Sequence, residues 1–319
     1  MPLPLSLMTR TGPPPTPPGS FQSAADLVSL GFVVALLLLS LLSLAFVLRL
    51  RCRNPAAALA SHFNSLWAVR LLLVSFVSLW TLSHLIRLLL PRRTSLCKLH
   101  ILLSLGLLEP GFLITILYLV DASVSERNTC AVAVVFSACL PVLALQTLAL
   151  YLPLADLLSL LGIFRSSPAG NQGDPAFESS GCACPPPAAL VFAAFGFSFL
   201  IFFLLSCRRV MSVVINKGLR ARIYVLALAV SISLSMEILF LGLSTRWGPE
   251  EASHTTATMV AFLSALSCAA AGEGLLVIRP IADALAAGEC AWHGRVDAGS
   301  RRSRVPGGSG DCKDMIVFS

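Results

Sequence analysis

Residues 102–120, LLSLGLLEPGFLITILYLV, form an apolar run long enough to cross a bilayer, with Glu109 and Pro110 near its middle. A carboxylate at that depth costs a few kcal/mol and lies too far from either surface to reach water. We therefore expect a protonated or internally hydrogen-bonded carboxyl group that faces the bundle. Pro110 leaves the carbonyl of Gly106 without its helix donor, so we expect a bend there. A local hydrogen bond to a residue such as Gln146 is the alternative interpretation for Glu109.

Other charged side chains also fall within apolar segments, and their depths suggest how they could pair. Arg70 and Glu273 lie at similar depths near one surface, which makes them a candidate ion pair. In the other half, His84 and Arg87 share a helix face, and Glu237 could pair with either. Alternatively, the two arginines extend to lipid headgroups, which the shorter glutamates cannot do. The candidate intramembrane polar network contains Arg70, His84, Arg87, Glu109, Pro110, Gln146, Glu237 and Glu273.

No pattern in the chain points to catalysis. There is no HxxH or HExxH pair, no GxSxG and no phosphate-binding glycine motif. His84, His100 and His254 are scattered near one surface, without the arranged acidic or cysteine partners that zinc requires. We therefore expect no enzyme activity, no metal site and no cofactor.

The segments that carry these residues are typical of a membrane protein. The chain is 56% apolar and 12% charged, with a mean hydropathy of +0.83, whereas soluble proteins carry about 25% charged residues. We predict an all-α polytopic membrane protein, a seven-transmembrane-helix bundle in the lipid bilayer, with no nucleic-acid partner. The apolar segments lie near residues 27–49, 65–90, 99–120, 131–153, 188–206, 223–245 and 256–278. The predicted domains are a disordered proline-rich segment at 1–24, the bundle at 25–280 and a disordered cytoplasmic tail at 281–319.

Lysine and arginine residues predict the orientation of the bundle. With the amino terminus outside or lumenal, fifteen of them fall on the cytoplasmic side and seven on the outer side. The loop RLLLPRRTSLCK opposes this orientation, because its four basic residues would face outward. We predict a cytoplasmic carboxyl terminus, in the plasma membrane or an endomembrane.

Three cysteines lie where a disulfide could cross the predicted outer side. Cys97 begins the third apolar segment, and Cys182 and Cys184 lie in the long loop before the fifth. A bridge from Cys97 to one of the other two would hold that loop over the bundle, and it requires an oxidising compartment. Three unpaired thiols are the alternative, because spacing does not determine connectivity.

The segment between the fifth and sixth apolar segments, CRRVMSVVINKGLRAR, carries five positive charges. The simpler interpretation is a topology signal with attraction to anionic lipid. The functional alternative is a docking surface for an acidic cytoplasmic protein. The sequence makes no prediction of oligomeric state.

The phrases SLWAVRLLLVSFVSLW, CKLHILLSLGLLEPGFLITILYLV and VINKGLRARIYVLAL resemble an uncharacterised plant family of seven-helix membrane proteins. Some members of that broad group have been proposed as candidate G-protein-coupled receptors, so the resemblance implies seven helices and a receptor-like role. The third segment ends in YLVDASVSERN where rhodopsin-type receptors have D/E-R-Y, and the later C-W-x-P and N-P-x-x-Y motifs are missing. We expect a receptor-like or signalling-scaffold protein; the alternative is a small-molecule or proton-coupled transporter that uses the intramembrane carboxylates.

Overall fold

The computed structural model describes residues 20–53, 66–89, 94–122, 131–151, 184–215, 217–247 and 251–283. Within these ranges the chain is almost entirely helical and has no strand, which confirms the all-α prediction. We number the helices in chain order. They are α1 (Ser20–Arg53), α2 (Trp67–Leu89), α3 (Thr94–Leu103, continuing through Ser104–Leu108 to Glu109–Ala122), α4 (Ala131–Tyr151), α5 (Pro186–Val213), α6 (Lys217–Ser244) and α7 (Ala252–Glu273, continuing through Gly274–Ile278).

Seven stretches of these helices are long and apolar enough to cross a membrane, as the sequence predicts. They are Leu27–Arg49, Trp67–Leu89, Leu96–Ala122, Val132–Tyr151, Pro186–Val213, Lys217–Ser244 and Ala252–Asp283.

The ends of the bundle differ from the predicted domain boundaries. Helix α1 begins at Ser20, within the segment predicted to be disordered up to residue 24, and directly after a proline-rich stretch that cannot donate helix hydrogen bonds. The last helical residue described is Asp283, beyond the predicted boundary at 280. The remainders of both predicted terminal segments, 1–19 and 284–319, lie outside the described residues.

Apolar side chains cover the outside of the bundle, and polar side chains lie inside it. Leu140, Ile201 and Phe202 are more than 60% exposed, while Glu109, Glu237 and Glu273 are at most 5% exposed. This distribution suits a surrounding of lipid, where a buried polar group needs a partner from another helix. Helix α3 lies at the centre, because 67% of its apolar window is buried, against 22–39% in the other six.

In the described part of the chain two π-helical turns interrupt the helices, and each borders a buried glutamate. Residues Ser104–Leu108 precede Glu109, whose backbone N–H donates to the carbonyl of Ser104. Residues Gly274–Ile278 follow Glu273. A π turn inserts one residue into a helix and is frequent at functional sites. In α3 only Glu109 separates the π turn from Pro110, which has no N–H to offer the preceding turn.

Glycines let neighbouring helices approach α3 closely. A Cβ atom on Gly111 would come within 2.6–2.8 Å of the Phe76 ring on α2. A Cβ atom on Gly272 of α7 would lie 2.6 Å from Cδ1 of Ile116. Such contacts allow van der Waals packing to hold helices together in lipid. They also fix the rotation of α2 and α7 around the polar residues of α3.

Candidate functional site

The carboxyl group of Glu109 lies in a polar cluster between α2 and α3. Its Oε1 atom accepts hydrogen bonds from Trp80 Nε1 at 2.8 Å and from Ser104 Oγ at 2.9 Å. Trp80 Nε1 also lies 3.0 Å from Ser104 Oγ, which closes a triangle of three polar groups. All three side chains are at most 4% exposed. Glu109 is therefore internally hydrogen-bonded and oriented from two helices.

Glu237 on α6 brings a second carboxyl group within hydrogen-bonding reach of Glu109. No N–H or hydroxyl donor within the described chain reaches Glu109 Oε2. Two carboxylates in contact inside an apolar bundle repel each other strongly, so such a pair retains at least one proton between them. The arrangement can hold and release a proton at the contact between α3 and α6.

Two histidines, His84 and His100, form a chain of ring contacts that begins at Trp80. The His84 ring lies 4.5 Å from the Trp80 ring and 4.6 Å from the His100 ring, measured between centroids. His100 Nδ1 is 2.7 Å from Ser83 Oγ. Within the described ranges no group of three or more His, Cys, Asp or Glu residues is arranged to hold a metal ion. The histidines therefore contribute to a packed polar layer between α2 and α3.

A cavity of about 120 Å³ lies next to this layer, between α1, α2 and α7. Its walls include His84 and Phe262, and both rings also contact Trp80. Phe262 stacks on Trp80 with the ring centroids 5.9 Å apart. Trp80 thus contacts two walls of the cavity through its ring and Glu109 through its N–H. We call the end of the bundle that holds this cavity the cavity end.

The structure separates the remaining members of the predicted network from the acid pair. Glu273 accepts a hydrogen bond from Ser40 Oγ on α1 at 2.6 Å, in place of the predicted ion pair with Arg70, and its Oε1 has no partner in the described part of the chain. Arg70 lies in the first turn of α2, far along that helix from His84 and Arg87. Glu237 interacts with Glu109 instead of His84 or Arg87, the two partners predicted for it.

Gln146 does not take the local role that sequence reasoning considered for it. Its Nε2 atom donates to the carbonyl of Ala188 on α5 at 3.0 Å, and the side chain is fully buried. It also packs against Gly106 at the π turn of α3. Gln146 therefore joins α4 to α5 beside the site without binding Glu109.

The structure describes two of the three cysteines in the predicted bridge, Cys97 and Cys184. Cys97 is disulfide-bonded, and Cys184 is a free thiol, so Cys184 is not the partner. Cys182, the other predicted partner, lies outside the described residues. Burial and, to a smaller extent, the nearby Glu109 raise the pKa of the Cys184 thiol to about 12.

Sequence reasoning did not find Trp80, Ser104 or Phe262. Trp80 could have been found, because it lies four residues before His84 and so shares its face of α2. Ser104 could not, because residues five apart diverge on an ordinary α-helix, and only the π turn brings its hydroxyl back to Glu109. Phe262 could not have been found either, because an apolar residue within an apolar segment has no feature that marks it as part of a site.

A family model described as Uncharacterised conserved protein UCP031277 matches residues 20–292 of the chain. No curated protein and no solved structure matches it. The match includes every helix and every residue of the site described above. This chain is therefore a member of the family Uncharacterised conserved protein UCP031277.

Proposed function

We propose that this protein is a multi-pass, receptor-like membrane protein in which occupancy of the cavity controls the contact between α3 and α6. One observation carries the proposal. The cavity walls His84 and Phe262 contact Trp80, and Trp80 donates its indole N–H to Glu109, the residue that meets Glu237. A molecule that moves either wall displaces Trp80 and so changes the hydrogen bonding of the acid pair.

The acid pair suits the role of a switch between two packing arrangements. Its proton holds α3 and α6 together, and loss of that proton or of the Trp80 hydrogen bond leaves buried charge or unpaired oxygens at the contact. Packed cores respond to such a change by shifting between discrete arrangements. The π turn beside Glu109 supplies a helix segment that can change its register.

The alternative function is proton-coupled transport, and the acid pair is the observation that favours it. Two carboxyl groups that share a proton are the usual chemistry of proton relays in pumps and transporters. Glu273 also has a buried oxygen atom without a hydrogen-bond partner in the described chain, and it lies beside a second π turn. In a transporter it would be a further proton-binding group on the pathway. The receptor-like proposal is preferred because it also accounts for the position of the cavity.

One experiment on the protein in lipid nanodiscs tests the receptor-like proposal. Spin labels at Asp121→Cys on α3 and Arg220→Cys on α6 report the distance between these helices away from the cavity. Thr258→Phe fills the cavity and acts as a tethered occupant, and Thr256→Phe on the exposed face of α7 is the matched control. We expect Thr258→Phe and Glu109→Gln, but not Thr256→Phe, to shift the distance distribution.

An unchanged distance in both variants would overturn the receptor-like proposal. The transporter alternative is tested in proteoliposomes, by following proton flux through the unmodified protein and through Glu109→Gln. Flux that Glu109→Gln abolishes would establish the alternative in its place.

We also propose that the cavity end faces the outside or the lumen and that the carboxyl terminus is cytoplasmic. The excess of basic residues at the opposite end and the disulfide at Cys97, which needs an oxidising compartment, support this orientation. The test is labelling of single introduced cysteines at exposed Lys98 and Arg209 in sealed membranes by an impermeant maleimide. Labelling at 209 and not at 98 from the outer side would reverse the orientation.

In this orientation the basic segment between α5 and α6 is cytoplasmic and is a candidate surface for an acidic protein. One of its charges is already neutralised, because Arg222 forms a salt bridge of 2.7 Å with Asp283 at the end of α7. Arg208, Arg209, Lys217 and Arg220 remain as exposed cations that could attract a partner. Pull-down with the charge-reversed variant Arg208→Glu/Arg209→Glu tests this role, and unchanged capture would contradict it.

A further inference from the structure

We propose that Glu273 of α7, together with Ser40 and Ser43 of α1, binds a small monovalent metal cation such as sodium. Ser40 Oγ lies 2.6 Å from Glu273 Oε2, and the Ser43 hydroxyl is within hydrogen-bonding reach of the same carboxyl group. All three side chains are at most 4% exposed. Two helices therefore bring carboxyl and hydroxyl oxygens together, and oxygen atoms are the ligands that hard cations prefer.

One oxygen atom of the Glu273 carboxyl group is buried without a partner. No hydrogen bond reaches Oε1, and no described arginine or lysine forms a salt bridge with this carboxyl group. Its partner Ser40 precedes Arg49 by nine residues, which is about 14 Å along α1, so the site lies within the apolar span. An ionised carboxylate at that depth requires a compensating positive charge.

A metal cation suits this site better than a proton does. A proton is held by one or two oxygen atoms, whereas two serine hydroxyl groups converge on this carboxyl group, and each has lone pairs that can coordinate a cation. The cation is monovalent because Glu273, the single acidic residue of the cluster, balances one positive charge. Nowhere in the described ranges do three His, Cys, Asp or Glu side chains gather, as divalent and transition metals usually require.

The two serines lie on the buried face of α1. The buried residues of the span Leu27–Arg49 are Val33, Leu36, Ser40, Ser43 and Val47. Their spacing of three or four residues places them on one helix face, so the serines are the polar members of an apolar stripe. On α7, Glu273 directly precedes the π turn Gly274–Ile278, and such turns are frequent at functional sites. A bound cation would therefore join α1 to α7.

The proposed cation site is separate from the receptor-like proposal and goes beyond it. The site shares no residue with the described walls of the cavity or with the acid pair. The result of a cation-binding experiment is therefore independent of the distance measured between α3 and α6.

The experiment uses the full-length protein in nanodiscs of zwitterionic lipid. Sodium chloride replaces choline chloride stepwise at constant ionic strength, and thermal unfolding is followed at each step. A cation that binds the folded protein raises the melting temperature in proportion to its occupancy. We expect sodium to raise the melting temperature relative to choline, and we expect radioactive sodium to bind saturably.

Two variants locate the ion, and each has a matched control. Glu273→Gln keeps the shape of the side chain and removes its charge, so it should abolish both the rise in melting temperature and the binding. Ser40→Ala removes one ligand and should require at least about tenfold more sodium for the same rise. Glu251→Gln at the exposed start of α7 and Ser198→Ala on the exposed face of α5 should respond like the unmodified protein.

Two results would overturn the proposal. Equal melting temperatures in sodium and choline would mean that Glu273 binds a proton and no metal cation. A sodium response that is unchanged in both Glu273→Gln and Ser40→Ala would place the ion elsewhere in the protein. If Glu273→Gln does not fold, the comparison of sodium with choline in the unmodified protein and in Ser40→Ala still decides between these outcomes.

Discussion

The carboxyl groups of Glu109 on α3 and Glu237 on α6 lie within hydrogen-bonding reach of each other inside the bundle. Trp80 and Ser104 orient the first of them from α2 and α3. An acid pair of this kind is both a packing contact between two helices and a proton site, so changes to it should alter stability and conformation together.

Replacing Glu109 with leucine should destabilise the bundle more than replacing it with glutamine. Leucine leaves the Ser104 hydroxyl hydrogen and the Glu237 carboxyl without the Glu109 partner, and each unsatisfied buried group costs about 1–3 kcal/mol, while the Trp80 N–H keeps only Ser104 Oγ as acceptor. Glutamine can still accept from Trp80 and donate to Glu237. The free energy of unfolding in mixed micelles measures both. The double variant Glu109→Leu/Glu237→Leu should lose less than the sum of the two single variants, and strict additivity would argue against a coupled pair.

Trp80→Phe should lower the free energy of unfolding by at least about 1–3 kcal/mol, because an aromatic ring remains but the N–H donor to Glu109 and Ser104 and part of the buried indole are lost. Trp247→Phe, at a partly exposed residue three positions after the end of α6, is the control and should have little effect. Equal effects of the two substitutions would show that the indole N–H contributes nothing.

Ser40→Ala should lower the free energy of unfolding by about 1–3 kcal/mol, because it removes the 2.6 Å hydrogen bond to the fully buried Glu273. Ser198→Ala on α5 is a matched serine-to-alanine control, because the hydroxyl of Ser198 is exposed and bonds only a carbonyl of its own helix. Thermal unfolding of both variants in the same lipid checks the difference. A neutral Ser40→Ala would mean that Glu273 is solvated or re-paired.

Gly111→Ala should destabilise the contact between α2 and α3 by about 1–3 kcal/mol, because the new methyl group would overlap the buried Phe76 ring. Gly31→Ala on α1 and Gly242→Ala on α6 have open space around the added atom and should be neutral or stabilising. Chemical unfolding of the three variants tests the ranking. If Gly111→Ala behaves like its controls, α2 does not pack on α3 at this point.

The Cys184 thiol should react slowly with alkylating reagents at neutral pH, and its rate should rise as the pH approaches about 12. The thiolate is disfavoured in the folded protein, so the folded pKa lies above the ordinary value of 9.0. The corresponding stability is fully present below pH 9 and is lost as the pH rises toward 12. Mass spectrometry of the Cys184 peptide after timed alkylation measures the rate, with the unfolded chain as the reference. Rapid alkylation of the native protein at pH 7.5 would contradict the prediction.

The order of apolar and charged residues along the sequence was sufficient to predict the seven helices and the buried position of Glu109. Runs of about 20 apolar residues can satisfy their backbone in lipid only as helices, so their number follows from hydropathy. The side chain of a glutamate at mid-depth is too short to reach either membrane surface, so it must face the inside of the bundle. Glu109 is 3% exposed, as this argument predicts. Cys97 was likewise recognisable from its place at the start of α3.

The partners of these residues were decided by the tertiary structure. Depth along each helix suggested Arg70 for Glu273 and His84 or Arg87 for Glu237, but hydrogen bonding also depends on how each helix is rotated. That rotation follows from close packing, such as Phe76 against Gly111 and Ile116 against Gly272, and from the π turn that returns Ser104 to Glu109. One inserted residue turns a helix by about 100°, since an α-helix has 3.6 residues per turn. For this reason Glu237 meets Glu109 and Glu273 meets Ser40, pairings between distant parts of the chain that only the packed bundle creates.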